Sequence, residues 1–143
     1  MRDVIVAAIS AAFTASAIAA VTPDNDIMPD IRLLSGDKIN EIYCPSGGCL
    51  NTVALYNRET QTITINETFD PADEYDLSVL LHEFIHHLQN INGDKRTGCV
   101  GDMEKQAYET QRRFLETRGT DDTDELMGID RFTQLLITTC DDR

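Results

Sequence analysis

An α+β fold in a single domain is expected for this chain, on three observations. Two β-patterned runs, residues 52–56 and 61–66, flank the short polar turn Asn57-Arg58-Glu59-Thr60 and read as a hairpin. Two long helical patterns follow it and are not interleaved with further strands. The chain has 143 residues, 41% of them hydrophobic, which is enough for one core and too little for two.

The elements follow in order. Residues 4–20 carry no charge, Arg2 precedes them, and Ala17-Ile18-Ala19 has the small-x-small form of a signal-peptidase site. Residues 1–20 therefore read as a secretory signal, and residues 21–143 as the mature domain, with no stable membrane association once the signal is removed. Residues 29–34 read as a strand. Ser35 caps a short helix over residues 36–43, with Ile39 and Ile42 facing inward. Residues 44–49 form a tight loop, and the hairpin comes next. Within it, residues 61–66 alternate polar and apolar, as a half-buried strand does.

A linker through Pro71 leads to an amphipathic helix capped by Asp76 or Ser78. Its apolar back is Leu77, Leu80, Leu81, Phe84, Ile85 and Leu88. Stop signals lie at residues 90–93, and a loop runs to Gly101. Asp102 caps a second helix over residues 103–118. An acidic turn at residues 120–124 precedes one or two helices over residues 125–139, with Leu126, Ile129, Phe132, Leu135 and Leu136 inward.

The formal charge of −13 argues against nucleic acid and anionic membrane surfaces as partners. The four cysteines, behind a secretory signal, suggest disulfides. Of three possible pairings, Cys44–Cys49 with Cys99–Cys140 is favoured. A cysteine metal site lacks the paired C-x-x-C units it needs.

The first long helix holds the chemistry. His82-Glu83-x-x-His86 places two imidazoles one helical turn apart, on the face opposite the apolar stripe, where both can grip one zinc ion. Glu83 lies beside them, placed to take a proton from a zinc-activated water. All three histidines of the chain fall here; His87 lies about 100° round the helix from His86 and reads as a flanking polar residue.

A catalytic zinc usually takes three protein ligands. With no histidine left, the third is an acid or a cysteine. On the second helix Glu104 is centred on the inward stripe with Ala107, Tyr108, Gln111, Phe114 and Leu115, where a carboxylate requires a partner.

H-E-x-x-H followed by a helical glutamate 18 residues after its second histidine resembles the gluzincin, thermolysin-like metallopeptidases. The chain is especially similar to their short single-domain members, the minigluzincins, over residues 29–118. The resemblance implies a zincin-like fold and peptide-bond hydrolysis on a peptide or protein substrate. It implies one zinc ion on His82, His86 and Glu104, with Glu83 as general base. It also implies that a hairpin strand lines the cleft and pairs with extended substrate.

Two places depart from that pattern. Tyr108 stands where such enzymes often carry an aspartate that orients a zinc histidine, and no histidine is left to stabilise an oxyanion. Tyr108 is the candidate for the second task, with Tyr43, Tyr56 and Tyr75 as alternatives. A second functional class stays open: a secreted, zinc-holding interaction domain without turnover. A monomer is expected.

Overall fold

A computed structural model describes residues 28–91, 100–129 and 131–138, together with Ala7. The expected signal segment, the Cys99–Cys140 pair and the loop before Gly101 lie outside the described residues, apart from Ala7 and from Asn90, Ile91 and Val100 at the loop's two ends. Eight elements are seen: β1 (Asp30–Leu34), α1 (Gly36–Tyr43), β2 (Ala54–Asn57), β3 (Thr62–Asn66), α2 (Glu74–Ile91), α3 (Val100–Thr117), α4 (Thr123–Met127) and α5 (Arg131–Thr138). The α+β expectation holds. Among the described residues no helix is long and apolar enough to cross a membrane.

The sheet has the order β1-β3-β2. β1 runs parallel to β3 and β2 antiparallel to it, so the expected hairpin is present. β3 is the middle strand, and its register explains a departure from the half-buried expectation. Ile63 and Ile65 face α2 and α3 in the main core. Thr64 faces the other way, is fully buried and meets the Tyr43 hydroxyl of α1 at 3.3 Å. Asn66, also buried, donates to the carbonyls of Leu50 and Thr52 and tethers the loop before β2. The fold is thus layered, with α1 on one face of the sheet and α2 with α3 on the other.

The core joins Leu77, Leu80, Leu81, Phe84 and Ile85 of α2 to Ala107, Phe114 and Leu115 of α3. Burying each large side chain is worth about 1.5–3 kcal/mol, so this back-to-back packing holds the two long helices in register. Cys44 and Cys49 are joined by a disulfide, as expected, and the Cys49 amide donates to Asn40 of α1.

Several boundaries differ from the sequence reading. α2 begins two residues before Asp76, because Asp73 is its cap: the Asp73 carboxylate accepts from the Asp76 amide and its carbonyl from the Leu77 amide. Asp76 instead accepts from the Asp70 amide, folding the linker onto the helix start. α3 begins at Val100, which puts Asp102 inside the first turn and not at the cap. The expected acidic turn is in part α4, capped by Asp122 and closed by Gly128 at φ 68°, and that left-handed residue separates α4 from α5.

The inward stripe expected on the last helices is a further correction. Leu126, Phe132, Leu135 and Leu136 are exposed, Phe132 by 69%. Ile42 of α1 is likewise exposed, while Ile39 is buried. Among the described side chains of α5 the buried ones are Gln134 and Thr138, because a polar network and not an apolar stripe docks this helix.

Candidate metal centre

Three side chains from two neighbouring helices converge. His82 and His86 extend from the front of α2, and Glu104 from the facing side of α3. The two Nε2 atoms are 3.2 Å apart. Glu104 Oε2 lies 3.3 Å from His82 Nε2, and Oε1 lies 2.9 Å from His86 Nε2. This trio is the one group of three or more His, Cys, Asp or Glu side chains with metal-ligand proximity among the described residues.

The donors fit a divalent cation. Tetrahedral bonds of about 2.0–2.2 Å put ligand atoms about 3.3 Å apart; the two Nε2 atoms are 3.2 Å apart, and each has a different oxygen of the Glu104 carboxylate within 3.3 Å. The tautomers match as well. The Gln111 amide nitrogen donates to Ser78 Oγ at 3.1 Å, and the Ser78 hydroxyl is itself spent on the Tyr75 carbonyl. Gln111 Oε1 therefore faces His82 Nδ1 at 3.0 Å and must accept its proton.

Gln89 does the same for His86. Its amide nitrogen donates to the Met103 carbonyl at 3.1 Å and to Gln106 Oε1 at 2.7 Å, which leaves its oxygen 3.0 Å from His86 Nδ1. With Nδ1 protonated on both rings, both neutral imidazoles point lone pairs at a carboxylate. Such a set of acceptors holds together only around a metal ion or a proton.

Without a cation, a proton can fill that role. Burial acts to lower the His86 pKa, but its hydrogen bond to Glu104 and the charges of Glu104 and Glu83 prevail and raise it. Burial likewise acts to raise Glu104, but hydrogen bonds from His82 and His86 hold its carboxyl well below the usual range. The proton on His86 stabilises the metal-free fold fully below the ordinary imidazole value of 6.5 and ceases to do so as pH rises through the raised folded value. A zinc ion held by these imidazoles would have to displace that proton. The thermal shift between zinc-containing and chelator-containing samples is therefore expected to grow from about pH 5.5 to about pH 8. A shift of constant size across that range would mean that zinc binds somewhere other than on these imidazoles.

Glu83 sits between the histidines and β2. Its carboxylate is pushed up by burial, pulled down by His82 and His86, raised by Glu104 and lowered by a hydrogen bond from the Tyr56 backbone N–H. That N–H is available because the strand pairing alternates. The Asn66 amide donates to the Val53 carbonyl, which makes Val53, Leu55 and Asn57 the residues bonded to β3. The main-chain groups of Ala54 and Tyr56 point to the open side of β2, towards α2.

Glu83 borders two cavities. One, of about 350 Å3, is lined by Leu55, Tyr56, Arg58, His86, Met103 and Glu104 among others. The other, of about 390 Å3, lies on the α4–α5 side and includes Tyr75, Val79, His82, Tyr108, Met127 and Ile129.

The four tyrosines separate cleanly. Tyr43 is engaged with Thr64 behind the sheet. The Tyr56 hydroxyl accepts from Asn90 at 3.0 Å and shares a hydrogen bond with His87 Nδ1 at 2.8 Å. That bond holds His87, a buried residue, against β2 and apart from the other two imidazoles. Tyr75 and Tyr108 remain, both lining the second cavity. Burial and then the neighbouring carboxylates raise the Tyr108 pKa, so its O–H stays a donor. Its ring packs edge-on against His82 at 4.5 Å between centroids.

All four residues singled out by the H-E-x-x-H pattern and its downstream glutamate thus meet at one place. Gln111 was visible on the inward stripe of its helix, but its role as an orienter, like that of Gln89, was not. That role depends on partners 14 to 33 residues away.

No curated protein and no solved structure matches the chain at a significant level. One family model does match, over residues 13–142. The chain therefore belongs to the family described as "Domain of unknown function (DUF6647)".

Proposed function

We propose that this protein is a secreted or periplasmic zinc metallopeptidase of gluzincin type with a zincin-like fold. The observation that carries the reading is the acceptor-only cluster of His82, His86 and Glu104 beside Glu83, at the open edge of β2. The disulfide and the apolar N-terminal run support the assigned compartment.

Zinc held by His82, His86 and Glu104 would supply Lewis acidity, polarising a scissile carbonyl and acidifying a water. The chain's own residues do the rest. Gln111 and Gln89 keep both imidazoles in the ligating tautomer. Glu83 takes the proton of the attacking water and delivers it to the leaving amine. An extended substrate lies along β2, whose open side offers the main-chain groups of Ala54 and the carbonyl of Tyr56, the Tyr56 N–H being held by Glu83. Tyr108, with Tyr75 beside it, donates to the oxygen that gains charge.

A non-catalytic zinc-holding module is the rival reading. It is favoured by the absence of any histidine facing the cleft other than the two ring donors. Hydrolysis of casein by the protein with the signal segment removed separates the two. Activity abolished by a chelator and restored by zinc is the expected result. No hydrolysis at any zinc concentration would sink the peptidase.

A further inference from the structure

The two cavities beside Glu83 differ in chemistry. The one on the α4–α5 side carries no Lys or Arg: beyond His82 and Glu83, its walls include Tyr75, Val79, Tyr108, Gln111, Met127 and Ile129. The one beside β2 combines apolar walls, Leu55 and Met103, with Arg58. Among the described residues Arg58 is the one Lys or Arg that lines either cavity.

Its position is built, although the side chain is exposed. Asn57 Oδ1 accepts from the amides of Glu59 and Thr60, closing the hairpin turn on itself. Asn90, in the last turn of α2, donates to the Arg58 carbonyl at 3.0 Å and to the Tyr56 hydroxyl at 3.0 Å. The turn is thus clamped from both sides, and Arg58 lines the cavity that also contains His86 and Glu104.

We propose that Arg58 is a specificity-determining residue that receives a carboxylate of the bound peptide. That carboxylate is either an Asp or Glu side chain or the free C-terminus. The inference rests on the peptide-binding reading of the cleft. A guanidinium matches a carboxylate with two parallel N–H···O bonds, which an amide or ammonium group cannot accept. Leu55 and Met103 cover the aliphatic stem of such a residue. The net charge of −13 does not override this. Beyond about 8 Å it is screened at physiological ionic strength, so the nearest charges decide.

The test uses the Glu83→Gln protein in zinc-containing buffer, so that binding is read without turnover. The probes are fluorescein-labelled peptides of Ala and Leu carrying one Glu, Gln or Lys, each as the free acid and as the C-terminal amide. Anisotropy gives Kd. A carboxylate-bearing peptide is expected to bind about five- to tenfold more tightly than its neutral counterpart, with the advantage shrinking in high salt. The Glu/Gln pair reads the side chain as the source, and the acid/amide pair reads the terminus.

Arg58→Ala should erase the advantage and Arg58→Glu should transfer it to the Lys peptide. Both variants should fold, since the fold uses only the Arg58 carbonyl. Equal affinities in every pair, an advantage that survives in Arg58→Ala, or no binding at all would overturn the proposal. Casein hydrolysis by the wild-type protein is scored in parallel. Hydrolysis with equal affinities removes Arg58 and leaves the peptidase. A carboxylate preference without hydrolysis keeps Arg58 and removes the peptidase.

Discussion

Glu83→Gln is expected to lower kcat/KM on a peptide substrate by about 10²–10⁴, the usual contribution of a positioned proton-transfer group. Zinc affinity should stay within about threefold, because none of the three donors is touched. The substitution is close to isosteric, and the glutamine oxygen can still accept from the Tyr56 N–H that now holds the carboxylate. The sign of the stability change also follows. A carboxyl whose pKa is raised in the folded state is destabilising in its charged form, so the neutral amide should leave the melting temperature unchanged or higher. Loss of hydrolysis with zinc retained and folding intact is the signature of a base. If the variant hydrolyses within a factor of three of the wild type, Glu83 is not the proton carrier and the cleft works otherwise.

Much of this site could be read from helix periodicity alone. His82 and His86 are one turn apart, and Glu104 lies at the centre of its own helix's inward stripe. Once Leu77, Leu80, Leu81, Phe84 and Ile85 pack against Ala107, Phe114 and Leu115, the opposite edges of the two helices are bound to meet. The pairing of the hairpin was legible for the same local reason.

Other features depend on partners distant in the chain. Asp73 outcompetes Asp76 for the cap because Asp76 is drawn to the Asp70 amide. Thr64 is buried because α1 covers the far face of β3. No pattern within residues 61–66 contains that information. Tyr108 stands at the position expected for an orienting aspartate, and it is Gln89 and Gln111 that orient the imidazoles, as neutral amides. Amides add no negative charge behind the rings, so a bound cation keeps more of its own than it would with carboxylates there.

The C-terminal helices show the largest departure, and the cause predicts a measurable effect. Leu126, Phe132 and Leu136 are exposed, so α4 and α5 gain little from apolar burial. Arg112 of α3 supplies much of what holds them. It is 3% exposed. Its guanidinium donates to Thr123 Oγ1 at 2.9 Å, to the Asp124 carboxylate, to the Ile129 carbonyl at 3.4 Å and to Gln134 Oε1 at 2.9 Å.

Arg112→Met keeps the aliphatic stem and removes every donor. Gln134 and Thr123 then lose buried partners, while Asp124, with its side chain 39% exposed, can recover part of its hydration. The discounted cost is about 2–4 kcal/mol, below the full penalty for breaking a wholly buried pair. For a domain of this size that lowers the melting temperature by about 10 °C.

The loss should be local first. Amide exchange in α4 and α5 should accelerate well before that in α2, because α2 is fastened by the core and not by Arg112. Met127, Ile129 and Thr133 line the cavity next to His82, so the same substitution should raise KM for peptides while leaving zinc affinity near the wild-type value. A melting temperature within about 2 °C of the wild type, with unaltered exchange in α5, would show that another contact carries the attachment.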